Sequence, residues 1–127
     1  MSTPKDFSGQ DLTGRSFIKA KLSEANLSEA NLTGVNLTQA DLCKANMVGA
    51  NLTKANLTQA EMYCAFLMGA DLTGAILRGA WLALADLTGA NLSNADLRGA
   101  NLLNAELTGA ILDNAKLPKG WQIVRGE

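Results

Sequence analysis

Apolar residues recur along this chain at every fifth position. Leu, Met or Phe occupies each such position from Phe7 to Leu117, which makes 23 positions in one unbroken frame, and 19 of them are Leu. A second register lies two residues earlier and runs from Lys5 to Ala115; it holds 19 Ala and Val35, and only its first three members are polar. Asn or Asp usually separates the two registers, Ser or Thr commonly follows the central residue, and Gly most often ends the unit. The pattern predicts a repeat architecture built from five-residue units.

This period fits neither of the standard secondary-structure elements. On an α-helix, five residues advance about 140° beyond a full turn, so the central side chains would point to every face in succession. On a strand, steps of five residues alternate between the two faces. Ala and Leu favour a helix, but Gly or Asn ends 13 of the 23 units. All central residues can share one core if the chain turns in the same sense at each unit. We therefore predict very short extended segments joined by corners.

A corner in each unit requires residues that suit a β-turn. With the central residue as the first of the four turn residues, the last residue of the unit takes the third place. A type II turn has a positive φ there and favours Gly or Asn. Most units between residues 19 and 64 carry larger residues at this place. We therefore predict type II turns after residue 65 and a different turn type between 19 and 64, an expectation that positive φ at Lys44, Lys54 and Gln59 would contradict.

Two units, Ala30-Asn31-Leu32-Thr33-Gly34 and Ala90-Asn91-Leu92-Ser93-Asn94, show the repeat in full. They resemble the units of pentapeptide-repeat proteins, which contain a small residue, Asn or Asp, Leu or Phe, Ser or Thr, and a variable residue. The resemblance covers residues 5–119. It implies an all-β fold, a right-handed quadrilateral parallel β-helix (solenoid) with four units per coil. The 23 units would then form about 5.75 coils, with residues 1–4 as an N-terminal tail and 120–127 as a C-terminal cap or tail.

The two ends of such a solenoid need protection, because a terminal coil has a neighbour on one side only. Phe7 and Phe17 are two units apart, so they would lie on opposite walls of the first coil, and we predict that they plug the N-terminal opening. At the other end the chain departs from the repeat, and Trp121, Ile123 or Val124 is predicted to form a lid over the last leucines. An end-to-end contact between copies is the alternative for the C-terminal residues.

The composition argues against several classes of function. A formal net charge of -1, from 11 Lys+Arg and 12 Asp+Glu, leaves no basic surface for nucleic acid. The absence of His removes the commonest general base and metal ligand. We expect no catalytic residues, no cofactor, no metal and no small-molecule substrate.

The location of the protein is predicted from what its sequence lacks. The first residues have no apolar stretch typical of a signal peptide, and no run approaches the ~20 apolar residues of a membrane span. Cys43 and Cys64 would lie on adjacent coils of one wall, within possible reach of a disulfide, but reduced thiols are the favoured state without a secretion signal. These features predict a cytoplasmic protein without membrane contact.

The Asn and Asp residues before the central positions form a second regular feature. Asn31, Asn51, Asp71 and Asn91 would stack on one wall of a four-sided coil. They could form a ladder of ligands or hydrogen bond to neighbouring side chains and to the backbone of the coils. We favour hydrogen bonding, because short polar side chains commonly bond to nearby backbone groups.

The outward positions become apolar between residues 63 and 84. With four units per coil, Tyr63 would lie in one vertical file with Cys43, Ala83 and Leu103, and Trp81 would lie beside this file. Scattered surface hydrophobes are ordinary, but a contiguous group with aromatic residues is typical of the core of a protein interface. We predict an interaction patch that comprises Tyr63, Phe66, Trp81, Leu84 and Leu103.

Three classes of function compete. The first is a non-catalytic scaffold that binds an unknown protein partner or itself through the patch. The second follows from the family resemblance: some pentapeptide-repeat proteins mimic duplex DNA and bind a type II topoisomerase. Such mimicry needs rows of carboxylates, whereas Asp11, Asp71, Asp86 and Asp96 are separated by neutral or basic residues. The third, an enzyme, lacks a set of catalytic residues. The sequence favours the scaffold.

Overall fold

The computed structural model describes residues 3–122 of the chain. Within them the chain pairs with itself through parallel β-bridges of single residues, each joining equivalent positions of successive coils. Asn31 is bridged to Asn51, for example, and such bridges run in four files that extend from Asp6 to Lys116. This part of the chain contains no α-helix and no strand longer than one residue. The fold is therefore a solenoid of short β-bridges. Each coil contains four bridged positions, one in each of four successive five-residue units.

The backbone hydrogen bonds of one unit explain why the units stack. Leu52 and Lys54 donate their N–H groups to carbonyls of the next coil, at 2.7 and 2.9 Å, and Asn51 donates to a carbonyl of the preceding coil, at 3.0 Å. The N–H of Ala55 closes the corner on the carbonyl of Leu52 at 2.9 Å. The N–H of Thr53 donates to the side-chain Oδ1 of Asn51 at 3.0 Å. All five N–H groups from Asn51 to Ala55 thus have an acceptor, as a backbone surrounded by other coils requires.

The interior of the solenoid contains the two apolar registers. Every central residue from Leu22 to Leu102 and every small residue from Ala25 to Ala100 is buried. No polar or charged residue is buried in the described part of the chain. The large central side chains fill the bore, and the small residues let the backbone approach the axis. The predicted division between inward and outward positions is confirmed.

The corners differ from the sequence-based expectation. The third turn residue has a positive φ in every unit from Gly9 to Asn114, including 59° at Lys44, 59° at Lys54 and 55° at Gln59. Together with the hydrogen bond from the fourth turn residue to the first, this is the pattern of a type II turn. The expectation of another turn type between 19 and 64 is therefore wrong, and the larger residues there adopt the same corner as Gly.

The reason for uniform corners is the stacking of the coils. The third turn residue donates its N–H to the next coil, as Lys54 does to the carbonyl of Thr73 at 2.9 Å. A corner of another type would turn this N–H away and break the register of the bridges that follow. A left-handed conformation costs a non-Gly residue about 1–2 kcal/mol. The hydrogen bonds and apolar contacts that the register preserves along the coil outweigh this cost.

The last unit is an exception to the repeat. Lys119 occupies the fifth position of the sequence frame, but the structure places the turn one residue later, between Pro118 and Trp121, whose N–H donates to the Pro118 carbonyl at 3.1 Å. The positive φ of 88° falls on Gly120, which adopts it without steric cost.

The described residues include no helix of the length and hydropathy that crossing a membrane would need.

We predict that the cost of the corner conformation can be measured at Gly34. This residue has a φ of 66°, and a Cβ there would meet no atom within 4 Å. Gly34→Ala should therefore lower the free energy of unfolding by about 1 kcal/mol through the backbone conformation alone. Lys54→Ala is the matched control at the same register and should change the stability by less than about 0.5 kcal/mol. Urea denaturation measures both, and equal effects would contradict this account of the corners.

A second prediction concerns the small residues of the bore. Ala60 is fully buried, so Ala60→Leu should lower the free energy of unfolding by about 3 kcal/mol through overpacking. Gln59→Leu is the control, because Leu84 already occupies the equivalent exposed position of another unit. Thermal unfolding compares the two variants with the wild type. A melting temperature of Ala60→Leu equal to that of the wild type would show that the bore has spare room.

Candidate functional site

Apolar residues replace the Asn or Asp of four units, three of them between residues 66 and 81 and the fourth at Ile111. In most units this residue accepts the N–H two positions later, as Asn91 accepts that of Ser93 at 3.0 Å. Phe66, Ile76 and Trp81 occupy the same register and offer no such acceptor. These units give up a local hydrogen bond, whose net contribution is about 1 kcal/mol, and present an apolar side chain instead.

The residues of the predicted interaction patch are exposed in the structure. The exposed fraction is 46% for Tyr63, 44% for Phe66, 55% for Trp81, 48% for Leu84 and 65% for Leu103. Ile18 and Ile111 are similarly exposed on other walls, at 50% and 43%, so this part of the chain differs by the number of such side chains in neighbouring units. The exposure of the five patch residues agrees with the sequence analysis.

Four of these five residues lie on one wall. We define the aromatic wall as residues 41–44, 61–64, 81–84 and 101–104, which stack because Trp81 is bridged to Glu61 and to Asn101. The N–H of Leu84 donates to the carbonyl of Leu103 at 2.9 Å, which places these two residues on adjacent coils. Phe66 lies in another file, bridged to Asn46 and Asp86. The structure thus brings Tyr63, Trp81, Leu84 and Leu103 together and leaves Phe66 around the corner.

The aromatic wall contains a cavity. It has a volume of about 290 Å³ and is lined by Cys43, Glu61, Tyr63, Trp81 and Ala83. The small side chain of Ala83 leaves space beside the two larger aromatic side chains. The sequence analysis placed Cys43, Tyr63, Ala83 and Trp81 on this wall but assigned no role to Glu61. Glu61 lies one coil before Trp81 in the same register, and this spacing could have identified it as part of the site.

Negative charge gathers at one end of this cavity. A carboxylate oxygen of Asp41, one of Glu61 and the sulfur of Cys43 lie within 4.8 Å of one another. Asp41 also accepts the N–H of Cys43 through its Oδ1 at 3.1 Å. Burial raises the pKa of the Cys43 thiol, and its hydrogen bond to Asp41 and the charges of Asp41 and Glu61 raise it further. These three groups therefore place two carboxylates and a thiol around one point at the edge of the cavity.

The other carboxylates of the described residues do not form a continuous row. In the file of Asp71 the adjacent residues are the neutral Asn51 and Asn91. Asp96 forms an ion pair with Arg98 at 2.7 Å, and this hydrogen-bonded guanidinium lowers the pKa of Asp96 to about 2. The Asn and Asp side chains serve mainly as acceptors for N–H groups within their own units, which agrees with the hydrogen-bonding interpretation of their stacking.

The N-terminal coil contains the two predicted plug residues. The rings of Phe7 and Phe17 lie edge to face with their centroids 6.2 Å apart, and both pack against the core. Lys5, Gln10 and Arg15, which replace Ala in this coil, are exposed. Two aromatic rings therefore contact each other at the first coil, next to a rim of polar side chains.

The C-terminal end has a larger opening. A cavity of about 600 Å³ lies there, and Trp121 borders it together with the last leucines of the bore, namely Leu92, Leu97, Leu102, Leu107, Leu112 and Leu117. Trp121 is 47% exposed. The other two predicted lid residues, Ile123 and Val124, fall outside the described residues. The two cysteines, Cys43 and Cys64, are both free and half-buried.

Comparisons with known proteins agree on one family. The family model of pentapeptide repeats (8 copies) matches residues 20–59, 50–89 and 85–119. The pentapeptide repeat protein Rfr23 from the cyanobacterium Cyanothece 51142 is 31% identical over 89% of this chain and 88% of its own, with a TM-score of 0.44. The pentapeptide repeat protein alr5209 from Nostoc PCC 7120 is 29% identical over 95% and 93% of the two chains, with a TM-score of 0.48. No curated protein matches the sequence.

We predict that the charge at the cavity controls the reactivity of Cys43. Because Asp41 and Glu61 raise the pKa of this thiol, Asp41→Asn and Glu61→Gln should each increase its rate of alkylation by iodoacetamide at pH 8, by about twofold or more. Cys64→Ser provides a background with one thiol. Glu106→Gln, the same change at the same register on another wall, is the control and should leave the rate unchanged. Alkylation rates that stay the same in Asp41→Asn and Glu61→Gln would contradict the effect of these two charges on the Cys43 thiol.

Proposed function

The chain belongs to the pentapeptide-repeat family, and we propose that it is a non-catalytic scaffold that binds a protein partner or a second copy of itself through the aromatic wall. One observation carries this proposal. Tyr63, Trp81, Leu84 and Leu103 are exposed, stand on adjacent coils of one wall and border or flank a cavity. A contiguous aromatic and aliphatic surface is the usual composition of an interface core.

The energetics of the wall support an interaction role. In the unit of Trp81 no described side chain accepts the N–H of Ala83, whereas the N–H of Thr53 on the opposite wall is accepted by Asn51. Replacing Trp81 with Asn would be compatible with the repeat, as the many Asn residues of this register show. The exposed indole of Trp81 therefore shapes the surface of the wall and is not required for the stacking of the coils.

The finer features of the fold belong to the same proposal. We propose a right-handed, quadrilateral path over residues 5–119, with about 5.75 coils and terminal segments at 1–4 and 120–127. The regular spacing of the bridges and their four files support four units per coil. The ring contact of Phe7 with Phe17 supports a plug, and the place of Trp121 beside the C-terminal cavity supports a lid. We also propose a cytoplasmic location, which fits two free cysteines.

The charge distribution supports the scaffold over the DNA mimic that binds a type II topoisomerase. A mimic of duplex DNA must present negative charges at the spacing of phosphates along its length. Here the files of Asn and Asp are largely neutral, Asp96 is paired with Arg98, and the net charge is -1. Carboxylates are bridged on adjacent coils in two places, Asp41 with Glu61 and Asp86 with Glu106, but among the described residues neither pair extends to a third coil.

We predict that Trp81→Asp combined with Tyr63→Asp abolishes binding through the aromatic wall. Two buried carboxylates in an interface core should weaken binding of the partner at least 100-fold, since desolvation of an unpaired charge costs several kcal/mol. The partner is first captured from the native cell, then purified, and its Kd is measured by calorimetry. Sedimentation velocity tests self-association in parallel.

The matched control is Thr53→Asp combined with Asn91→Asp, which adds the same charge at the same registers of the opposite wall. Circular dichroism and the melting temperature should show that both double variants remain folded. An unchanged Kd and unchanged sedimentation of the Trp81 and Tyr63 variant would reject the aromatic wall as the binding surface. Equal weakening by both double variants would show a general effect of charge.

A further inference from the structure

The lining of the cavity in the aromatic wall combines aromatic side chains with a carboxylate. Trp81 and Tyr63 provide the aromatic rings, and Glu61 provides the carboxylate. Ala83 and Cys43 contribute small side chains that leave the volume of about 290 Å³ open. Aromatic faces attract cations through their quadrupole, most strongly in Trp, and a carboxylate attracts the same ligands by its charge.

The carboxylates at this cavity have no cation of their own. In residues 3–122 the ion pair between Arg98 and Asp96 is the only one within 4.0 Å. Lys21, bridged to Asp41, and Lys44, next to Cys43, therefore lie farther than this from Asp41 and Glu61. Among the described residues Asp41 accepts hydrogen bonds from Cys43 alone, and the carboxylate of Glu61 accepts none. Both charges remain available to a ligand.

The field at the cavity is negative at the position of Cys43. The pKa of this thiol is raised by burial, by its hydrogen bond to Asp41 and by the charges of Asp41 and Glu61. Any group that enters the cavity beside Cys43 experiences the same two charges. The two charges repel an anionic group. An apolar group would displace water from the carboxylates and offer no hydrogen bond in its place, which costs free energy.

The shape and the lining favour a guanidinium over other cations. A guanidinium is planar, stacks on aromatic rings and forms paired hydrogen bonds with a carboxylate, whereas an ammonium is a compact and strongly hydrated charge. A metal ion would find one ligand atom each on Asp41, Cys43 and Glu61 and none on the aromatic rings, whereas a guanidinium can use both the rings and a carboxylate.

We propose that this cavity is a binding pocket for an arginine side chain presented by the protein partner of the aromatic wall. The guanidinium stacks on Trp81 and Tyr63 and pairs with Glu61, and Asp41 adds charge behind it. The apolar residues Leu84 and Leu103 contact the segment that carries the arginine. This proposal rests on the proposed function, since it names the chemistry that the aromatic wall recognises.

The test uses a short peptide with one arginine, acetyl-Gly-Gly-Arg-Gly-Gly-amide, and its citrulline analogue, which has nearly the same shape and no charge. Binding is followed by the chemical shifts of the backbone N–H groups of Tyr63 and Ala83, at low ionic strength and with a chelator present. We expect the arginine peptide to saturate these shifts with a Kd in the millimolar range, at least fivefold tighter than a lysine peptide and at least tenfold tighter than the citrulline peptide.

Single variants assign the contacts. Glu61→Gln and Trp81→Leu should each weaken the arginine peptide at least fivefold. Glu106→Gln, at the same register on another wall, should have no effect. Equal affinities for the arginine and citrulline peptides, equal affinities for arginine and lysine, an unchanged Kd in Glu61→Gln, or no saturable shift up to about 20 mM peptide would each overturn the assignment of an arginine pocket.

The failure of this proposal is distinguishable from failure of the proposed function. If Glu61→Gln leaves the affinity of the captured partner unchanged while Trp81→Asp with Tyr63→Asp removes it, the aromatic wall binds the partner without an arginine in the cavity. If the double variant keeps full affinity for the partner, the wall is not the interface, whatever the peptides do. If the arginine pocket is correct, Glu61→Gln should weaken the partner at least fivefold and a matching Arg→Ala change in the partner should do the same.

Discussion

Backbone hydrogen bonds between coils impose the constraint on which the rest of the structure depends. Central residues such as Leu52 donate to carbonyls of the next coil, so an extra or missing residue within a unit would disturb the bonds of its coil to both neighbours. The same spacing requires each corner to direct its third N–H toward the next coil. Lys54 and Gln59 therefore adopt a positive φ that their side chains would not favour in a free turn.

The outward registers are subject to a weaker constraint. The Asn or Asp before the central residue accepts one N–H of its own unit, as Asn51 accepts that of Thr53, and this bond does not join the coils. A different residue can replace it without a change in register, because the regular bonds between coils join backbone atoms. The side-chain bonds between coils, from Ser23 to the Cys43 carbonyl and from Gln39 to Gln59, come from other registers. The aromatic wall is built at these permissive positions, which explains how exposed Trp81 and Tyr63 coexist with a regular interior.

Periodicity alone was sufficient to predict which residues are buried. Leu residues at every fifth position are all shielded from water when the chain turns in the same sense at each unit. The core from Leu22 to Leu102 therefore follows from the spacing. The size of the coil came from the family resemblance, and it allowed Tyr63, Trp81, Leu84 and Leu103 to be placed on one wall. The type of corner between 19 and 64 was not predictable from local preferences, because stacking with the next coil overrides them.

The sequence by itself determined the repeat, the two inward registers and the group of apolar residues on the outside, since each depends on the spacing and polarity of residues along the chain. Only the tertiary structure decided that the corners are uniform, that Phe7 contacts Phe17 and that Asp41 and Glu61 lie beside Cys43 at a cavity that Trp81 lines. These features depend on the directions of side chains on different coils. Residues of successive coils meet only after the coils have stacked, so no local pattern encodes the distances between their side-chain atoms.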